Sequence, residues 1–149
     1  MTMILAADDI PAWVAPLIGT AFADRRQQAA GRDGVDCWQL AGLAYAACGQ
    51  TLPDVADYRD GADAAAIAAA LRAALPDWDR IGWGDEAALD LASCRRPYLT
   101  EGGWRCYPLH VAVVIRPGVI LDIDRRNGAH LAGYGERRRL GIEAFWRLR

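Results

Sequence analysis

Three side chains carry the chemistry that this sequence offers: a thiol at Cys37, an imidazole at His110 and a carboxylate at Asp122. Cys37 directly follows Asp36, whose carboxylate can accept from the unpaired backbone N–H groups of a helix's first turn. Gln39, three residues past Asp36, completes a capping-box pattern, and Gly49 is placed to end the helix as its C′ residue. Cys37 thereby falls at the first helical position, where the helix dipole favours an anion and hence the reactive thiolate. Leu40, Ala41, Ala44, Tyr45 and Cys48 recur on the same side at helical spacing, so that side is expected to face the interior. Position alone does not make a nucleophile, because most free cysteines are small buried hydrophobes. A base has to come from elsewhere in the chain.

The sequence has only two histidines, His110 and His130. His110 opens the β-branched run His110-Val111-Ala112-Val113-Val114-Ile115, which reads as a central strand. Pro117-Gly118 is a turn dipeptide, and residues 119–123 read as the hairpin partner. Counting back from the turn brings Asp122 to the level of His110 or one step from it. A carboxylate there can hold the second ring nitrogen and set the tautomer. Asp124, on the same face of the strand as Asp122, and His130 stay open as alternatives for this third position. Set against this, His110 can be a satisfied strand-end histidine and Asp122 a solvating edge charge. A zinc site of Cys94, Cys106 and His110 is a rival whose spacing fits no common ligand pattern and lacks a fourth ligand.

The elements that must position these groups follow an α+β order, helices first and antiparallel strands later. Pro11 suits a first helical turn, with Trp13, Val14, Leu17 and Ile18 as its apolar stripe, although Pro16 interrupts it. Residues 24–34 read as an arginine- and glycine-containing loop, 52–61 as an irregular connection, and 62–75 as an alanine-rich helix stopped by Pro76. Residues 87–92 alternate as a first strand after Gly84-Asp85, and 129–134 and 141–148 add two more. The stretch 94–108 reads as a long loop bordering the site.

At 149 residues the chain is expected to be one domain, 1–149, with room for a core. Its basic residues are all arginine, and the net charge of −2 leaves no basic excess for nucleic acid. No apolar run approaches a membrane span, and Asp8 and Asp9 stand where a signal peptide would be basic. Synthesis in the cytoplasm without a signal peptide is the expectation, with Cys37, Cys48, Cys94 and Cys106 as thiols.

Val35-Asp36-Cys37-Trp38-Gln39-Leu40 resembles the Asp-Cys-(Ser/Trp)-Gly-Leu signature of the NlpC-type, papain-like cell-wall peptidases. Its Trp form resembles the branch found in phage tail and tail-tip proteins. His110-Val111-Ala112-Val113-Val114 is similar to the family's His-Val-Gly-Ile-Tyr strand, and Asp122 falls where a second histidine usually stands. Gly84-Asp85 resembles the Gly-Asp opening the family's first strand, and Ile18-Gly19-Thr20-Ala21-Phe22 its Ile-Gly-Thr-Pro-Tyr. The ordered set spans Ile18 to Asp124. Gln39 departs from the family's glycine, and Phe22 from a tyrosine whose hydroxyl often lies near the nucleophile.

The resemblance implies a papain-like α+β fold with the cysteine helix packed on an antiparallel sheet. It implies hydrolysis of an amide bond in peptidoglycan stem peptides, typically the D-glutamyl–diamino-acid link, with no metal or cofactor. Cys37 would attack the carbonyl, His110 would move the proton, Asp122 would orient His110, and the Cys37 backbone N–H would be an oxyanion donor. Trp38, Arg95, Arg96, Trp104 and Arg105 are the candidate substrate contacts, the arginines through the substrate's carboxylates. The implied setting is a virion tail acting on the cell wall, with other phage tail-tip proteins as partners. Two further readings share the scaffold: a tail-tip or hub assembly protein with little or no hydrolysis, and an acyltransferase or deamidase.

Overall fold

The β-branched runs around Val113 and Ile120 form the middle of a sheet against which one long helix packs. The computed structural model describes residues 10–53, 69, 72–134 and 141–149. It has helices α1 (Arg25–Ala29) and α2 (Cys37–Ala47), then strands β1 (Trp78–Ile81), β2 (Leu91–Thr100), β3 (Gly103–Arg116), β4 (Val119–Asp124), β5 (Gly128–Gly133) and β6 (Ile142–Leu148). The strands make one six-stranded sheet in the order β1-β6-β2-β3-β4-β5. Every neighbouring pair is antiparallel. This is the expected α+β class, with the cysteine helix on the sheet. Among the described residues no helix is long and apolar enough to cross a membrane.

The start of α2 is set by its cap. Asp36 accepts from the Gln39 N–H at 2.8 Å, and the Gln39 side chain accepts from the Asp36 N–H at 3.0 Å. Its end is a Schellman turn. Gly49 lies at φ 72°, its N–H donates to Ala46 at 3.0 Å, and the Gln50 N–H donates to Tyr45 at 2.9 Å. Cys37, Trp38, Leu40, Ala41, Ala44 and Tyr45 are buried, packed in one cluster with Val111, Val113, Leu121 and Ile123 of the sheet. A cap is worth about 1 kcal/mol, whereas each large apolar side chain fully buried contributes about 1.5–3 kcal/mol. Packing therefore holds the helix in place, and the cap decides where it begins.

Polar bonds tie the other end of α2 to the entry of β2. The Tyr45 hydroxyl donates to the Leu89 carbonyl at 2.5 Å. Burial first, then the charge of Asp90, pushes the phenol pKa far up and keeps it a donor. Asp90 is itself buried and accepts from Arg147 Nε and Nη2, each at 2.8 Å, and from the Ala87 N–H at 2.8 Å. The sheet's second face buries Ala92, Cys94, Ala112, Val114, Ile120 and Phe145, with Trp83 set edge-on to Phe145 at 4.7 Å.

Several expectations are corrected. Residues 94–108 are not a loop: they form the outer arms of β2 and β3, paired from Arg95↔Pro108 to Thr100↔Gly103. Cross-strand pairing outweighed the proline and glycine signals that suggested a loop. The first strand does not start near Ala87; residues 82–90 turn, and β2 begins at Leu91. Trp78–Ile81, too short to show a period, is a strand paired with β6. The stripe from Trp13 yields only a 3-10 turn, Ala15–Leu17, with Pro16 inside it. Residues 24–34 contain α1, which has its own capping box of Asp24 and Gln27. The helix expected over 62–75 lies mostly outside the described residues, and a 3-10 turn, Leu75–Asp77, holds Pro76.

Candidate active site

Two close backbone approaches bring the chain to the start of α2. Gly19 donates to Ala129 and Ala129 to Thr20, each at 2.8 Å, which lays this segment along the start of β5. Phe22 then bridges Val35 in parallel, with Val35 donating to Ala21 at 2.9 Å and Ala23 to Val35 at 3.1 Å. Gly34 makes the bridge feasible. It lies at φ 137°, and a Cβ there would stand 2.8 Å from the Ala21 carbonyl oxygen. The chain then turns through Asp36 into the helix.

At the first helical position Cys37 is a thiol outside any disulfide, 4% exposed. Its side chain hydrogen-bonds His110. The His110 Nε2 is bonded to Asp122 Oδ1. The His110 side chain is 13% exposed and that of Asp122 4%. Burial opposes the imidazolium, but the negative charge available at Cys37 and the hydrogen bonds to Asp122 and Cys37 outweigh it. The His110 pKa is raised to about 9. The three groups therefore meet as thiol, imidazole and carboxylate, each from a different element. Chemically such a row can deprotonate a thiol and keep the resulting imidazolium ready as an acid.

The alternatives for the third position are engaged elsewhere. Asp124 accepts from the Arg126 and Asn127 N–H groups at 2.9 and 2.6 Å, with His130 Nε2 at 3.9 Å. The carboxyl pKa is lowered: burial is the largest single influence and raises it, but the hydrogen bonds from Asn127 and Arg126 and the charge of His130 together outweigh that. The other ring nitrogen of His130 bonds the Gly128 carbonyl at 2.8 Å. Cys94, opposite His110 in the β2–β3 register, is fully buried, and the side chain of Cys106 lies outside the described residues. No group of three or more His, Cys, Asp or Glu among the described residues is placed to hold a metal ion.

The candidate substrate contacts divide. Trp38 is not at the surface: it is buried, its indole N–H donates to Pro53 at 3.0 Å, and its ring centroid lies 6.3 Å from that of Trp78. Trp38 thus serves the core. Arg95 is half-exposed at the base of the β2–β3 arm, 4.0 Å from Glu143, and the side chain of Arg96 lies outside the described residues. Trp104, 67% exposed, is paired with Leu99, 60% exposed, near the arm's end, and Arg105 beside it bonds the Trp104 carbonyl at 3.2 Å. The Phe22 ring carries the Arg125 guanidinium at 5.4 Å.

Sequence reading passed over Arg25 and Gln28. Arg25 Nε donates to Asp36 Oδ2 at 2.7 Å, and Gln28 pairs with Gln39. The Asp24-x-x-Gln27 pattern, the same box as at Asp36, was the available signal for their helix.

The sequence matches no family profile and no curated protein. The fold is NlpC/P60-like. It is similar to the solved structure of a protein from Staphylococcus aureus subsp. aureus Mu50, described as similar to lipoprotein of the NLP/P60 family, with a TM-score of 0.55 and 15% identity over 96% of this chain. This chain spans 42% of that protein's length. At that identity the likeness establishes the fold.

Proposed function

We propose that the protein is a cysteine peptidase acting on amide bonds of peptidoglycan stem peptides. The observation that carries this reading is the row Cys37–His110–Asp122, with His110 held through Nε2 by a buried carboxylate and turned towards a thiol at a helix start. In the reaction, His110 takes the thiol proton and the sulfur bonds to the substrate's carbonyl carbon. The Cys37 backbone N–H, in the first turn of α2, stabilises the oxyanion. Collapse of the tetrahedral adduct breaks the C–N bond, and the imidazolium gives its proton to the departing amine. Water, deprotonated by His110, then releases the acyl group from sulfur. Asp122 keeps the ring oriented and favours its charged form. Arg95, Arg96, Trp104 and Arg105 on the β2–β3 arm are proposed as contacts to the stem peptide's carboxylates and apolar groups. Phe22 has no hydroxyl to offer, and the donor proposed for the oxyanion is the Cys37 backbone N–H.

The test is mass spectrometry of purified peptidoglycan incubated with the protein and with Cys37→Ala. New stem-peptide fragments made only by the wild type are expected. Unchanged wall material from several bacteria would refute the enzyme.

A second reading is supported by the exposed Leu99–Trp104 pair at the arm's end. On it, the chain is a tail-tip assembly module that docks through this arm and keeps the peptidase fold without hydrolysis.

A further inference from the structure

Helix α1 has five residues, none of them buried. It is too short to be stable by itself and contributes nothing to the core. Polar bonds hold it, and they converge on the start of α2. Arg25 reaches Asp36 Oδ2 at 2.7 Å, while Asp36 Oδ1 accepts from the Gln39 N–H, so both cap oxygens are engaged. Gln28 and Gln39 exchange amide hydrogen bonds at 2.5 and 3.1 Å, and Gln28 also donates to Ala23 at 2.8 Å. On the far side, Arg125 of the β4–β5 turn bonds the α1 cap, Asp24, at 3.2 Å. The Arg25 side chain is 17% exposed and that of Asp36 4%, so the ion pair is shielded from solvent.

The consequence is electrostatic. Asp36 is adjacent to Cys37 in the chain, and a bare carboxylate there opposes a negative sulfur. A like charge on the neighbouring residue disfavours the anion, and in a partly buried site solvent and salt screen it little. The charged groups around this end of α2 are Asp36 in its own cap, Arg25 from α1, His110 from β3 and Asp122 from β4. Further out stands the Asp24–Arg125 pair.

We infer that α1 is a brace for the nucleophile: Arg25 is a positioning residue that neutralises the Asp36 cap, and Gln28 fixes Gln39. The cap then keeps its hydrogen bonds to the helix without penalising a thiolate at the next residue. This inference rests on the reading of Cys37 as the nucleophile. It also gives Gln39 a purpose, since a glycine at this position could neither close the capping box nor hold α1.

The test uses the full chain and the pH profile of Cys37 alkylation by iodoacetamide, followed by mass spectrometry of the Cys37 peptide, with melting curves alongside. Arg25→Met is expected to slow alkylation at pH 6 about three- to tenfold. Arg25→Lys should restore most of the rate. In an Asp36→Asn background, which keeps the cap but removes its charge, Arg25→Met should have little effect. Should Arg25→Met fail to fold, Arg25→Gln carries the same expectation. An unchanged profile in the folded variant, or an equal slowing in both backgrounds, would overturn the brace. Alkylation needs no substrate, so the two readings fail separately. A wild type that cleaves no wall but shows these changes loses only the peptidase; one that cleaves walls without them loses only the brace.

Discussion

His110 and Asp122, twelve residues apart, meet across the β3–β4 hairpin, where the imidazole Nε2 is bonded to a carboxylate almost fully removed from water. Such a pair changes the ring's titration. Burial acts against the charged ring, and the interactions with Cys37 and Asp122 override it, raising the pKa from 6.5 to about 9.

The first expectation concerns that titration. NMR of the His110 ring should give a midpoint near 9, and either Asp122→Asn or Cys37→Ala should lower it. The sign for stability follows from linkage. The folded pKa lies above the unfolded one, so the stabilisation is complete below about 6.5 and is lost as pH rises through about 9. Denaturant midpoints should therefore fall between pH 6 and pH 9.5, and fall less in Asp122→Asn. A wild-type ring midpoint near 6.5 would show that neither partner holds the charge.

A second expectation separates the thiols. Iodoacetamide near pH 6 should modify Cys37 ahead of Cys48, Cys94 and Cys106, because Cys37 alone has an imidazole partner at a helix start. Cys94 is fully buried and Cys48 half-buried, so exposure by itself would favour Cys48. Equal labelling of Cys48 and Cys37 would remove the argument for activation.

A third expectation concerns the bridge that aims α2. Gly34→Ala places a Cβ 2.8 Å from a backbone carbonyl at φ 137°, and a cost of about 1–3 kcal/mol in thermal denaturation is expected. Gly31→Ala is the control: its φ of 90° is also positive, but nothing lies within 4 Å. It should cost about 1 kcal/mol. Equal losses would mean that the close approach of Gly34 to Ala21 carries no weight.

The parts legible in the sequence were those with local chemistry. The cap of α2, its glycine end and the Pro117-Gly118 turn are each written in a few adjacent residues, and each stands in the structure. The count from the turn was only approximate: after a register shift between Val114 and Arg116, the pairing Val113↔Leu121 brings Asp122 level with Ala112, and the bond to His110 runs diagonally across the two strands. What stayed hidden depends on distant partners. The arms of β2 and β3 beyond Arg95 are polar, aromatic and proline-containing, and only pairing with each other makes them strands. Trp38 reads as a site residue from its place beside Cys37, yet packing with Trp78 and the bond to Pro53 draw it inwards. The contacts of α1 with α2 join residues eleven apart, Arg25 to Asp36 and Gln28 to Gln39, which no periodicity foretells.

The last expectation decides between hydrolysis and assembly. Cys37 is buried in the core cluster but its side chain is small, so Cys37→Ala should cost on the order of 1 kcal/mol while abolishing any wall hydrolysis. Trp104 is 67% exposed, so Trp104→Ala should leave the melting temperature almost unchanged. What that variant loses is then informative. If the arm meets the stem peptide, Trp104→Ala weakens hydrolysis through KM while Cys37 still alkylates normally. If the arm docks a tail protein, the variant fails in particle assembly, and Cys37→Ala assembles like wild type. Hydrolysis and assembly measured on both variants thus give four measurements. A Cys37→Ala protein that still releases stem-peptide fragments would end the peptidase reading, because that reading assigns the attack to the Cys37 thiol beside His110.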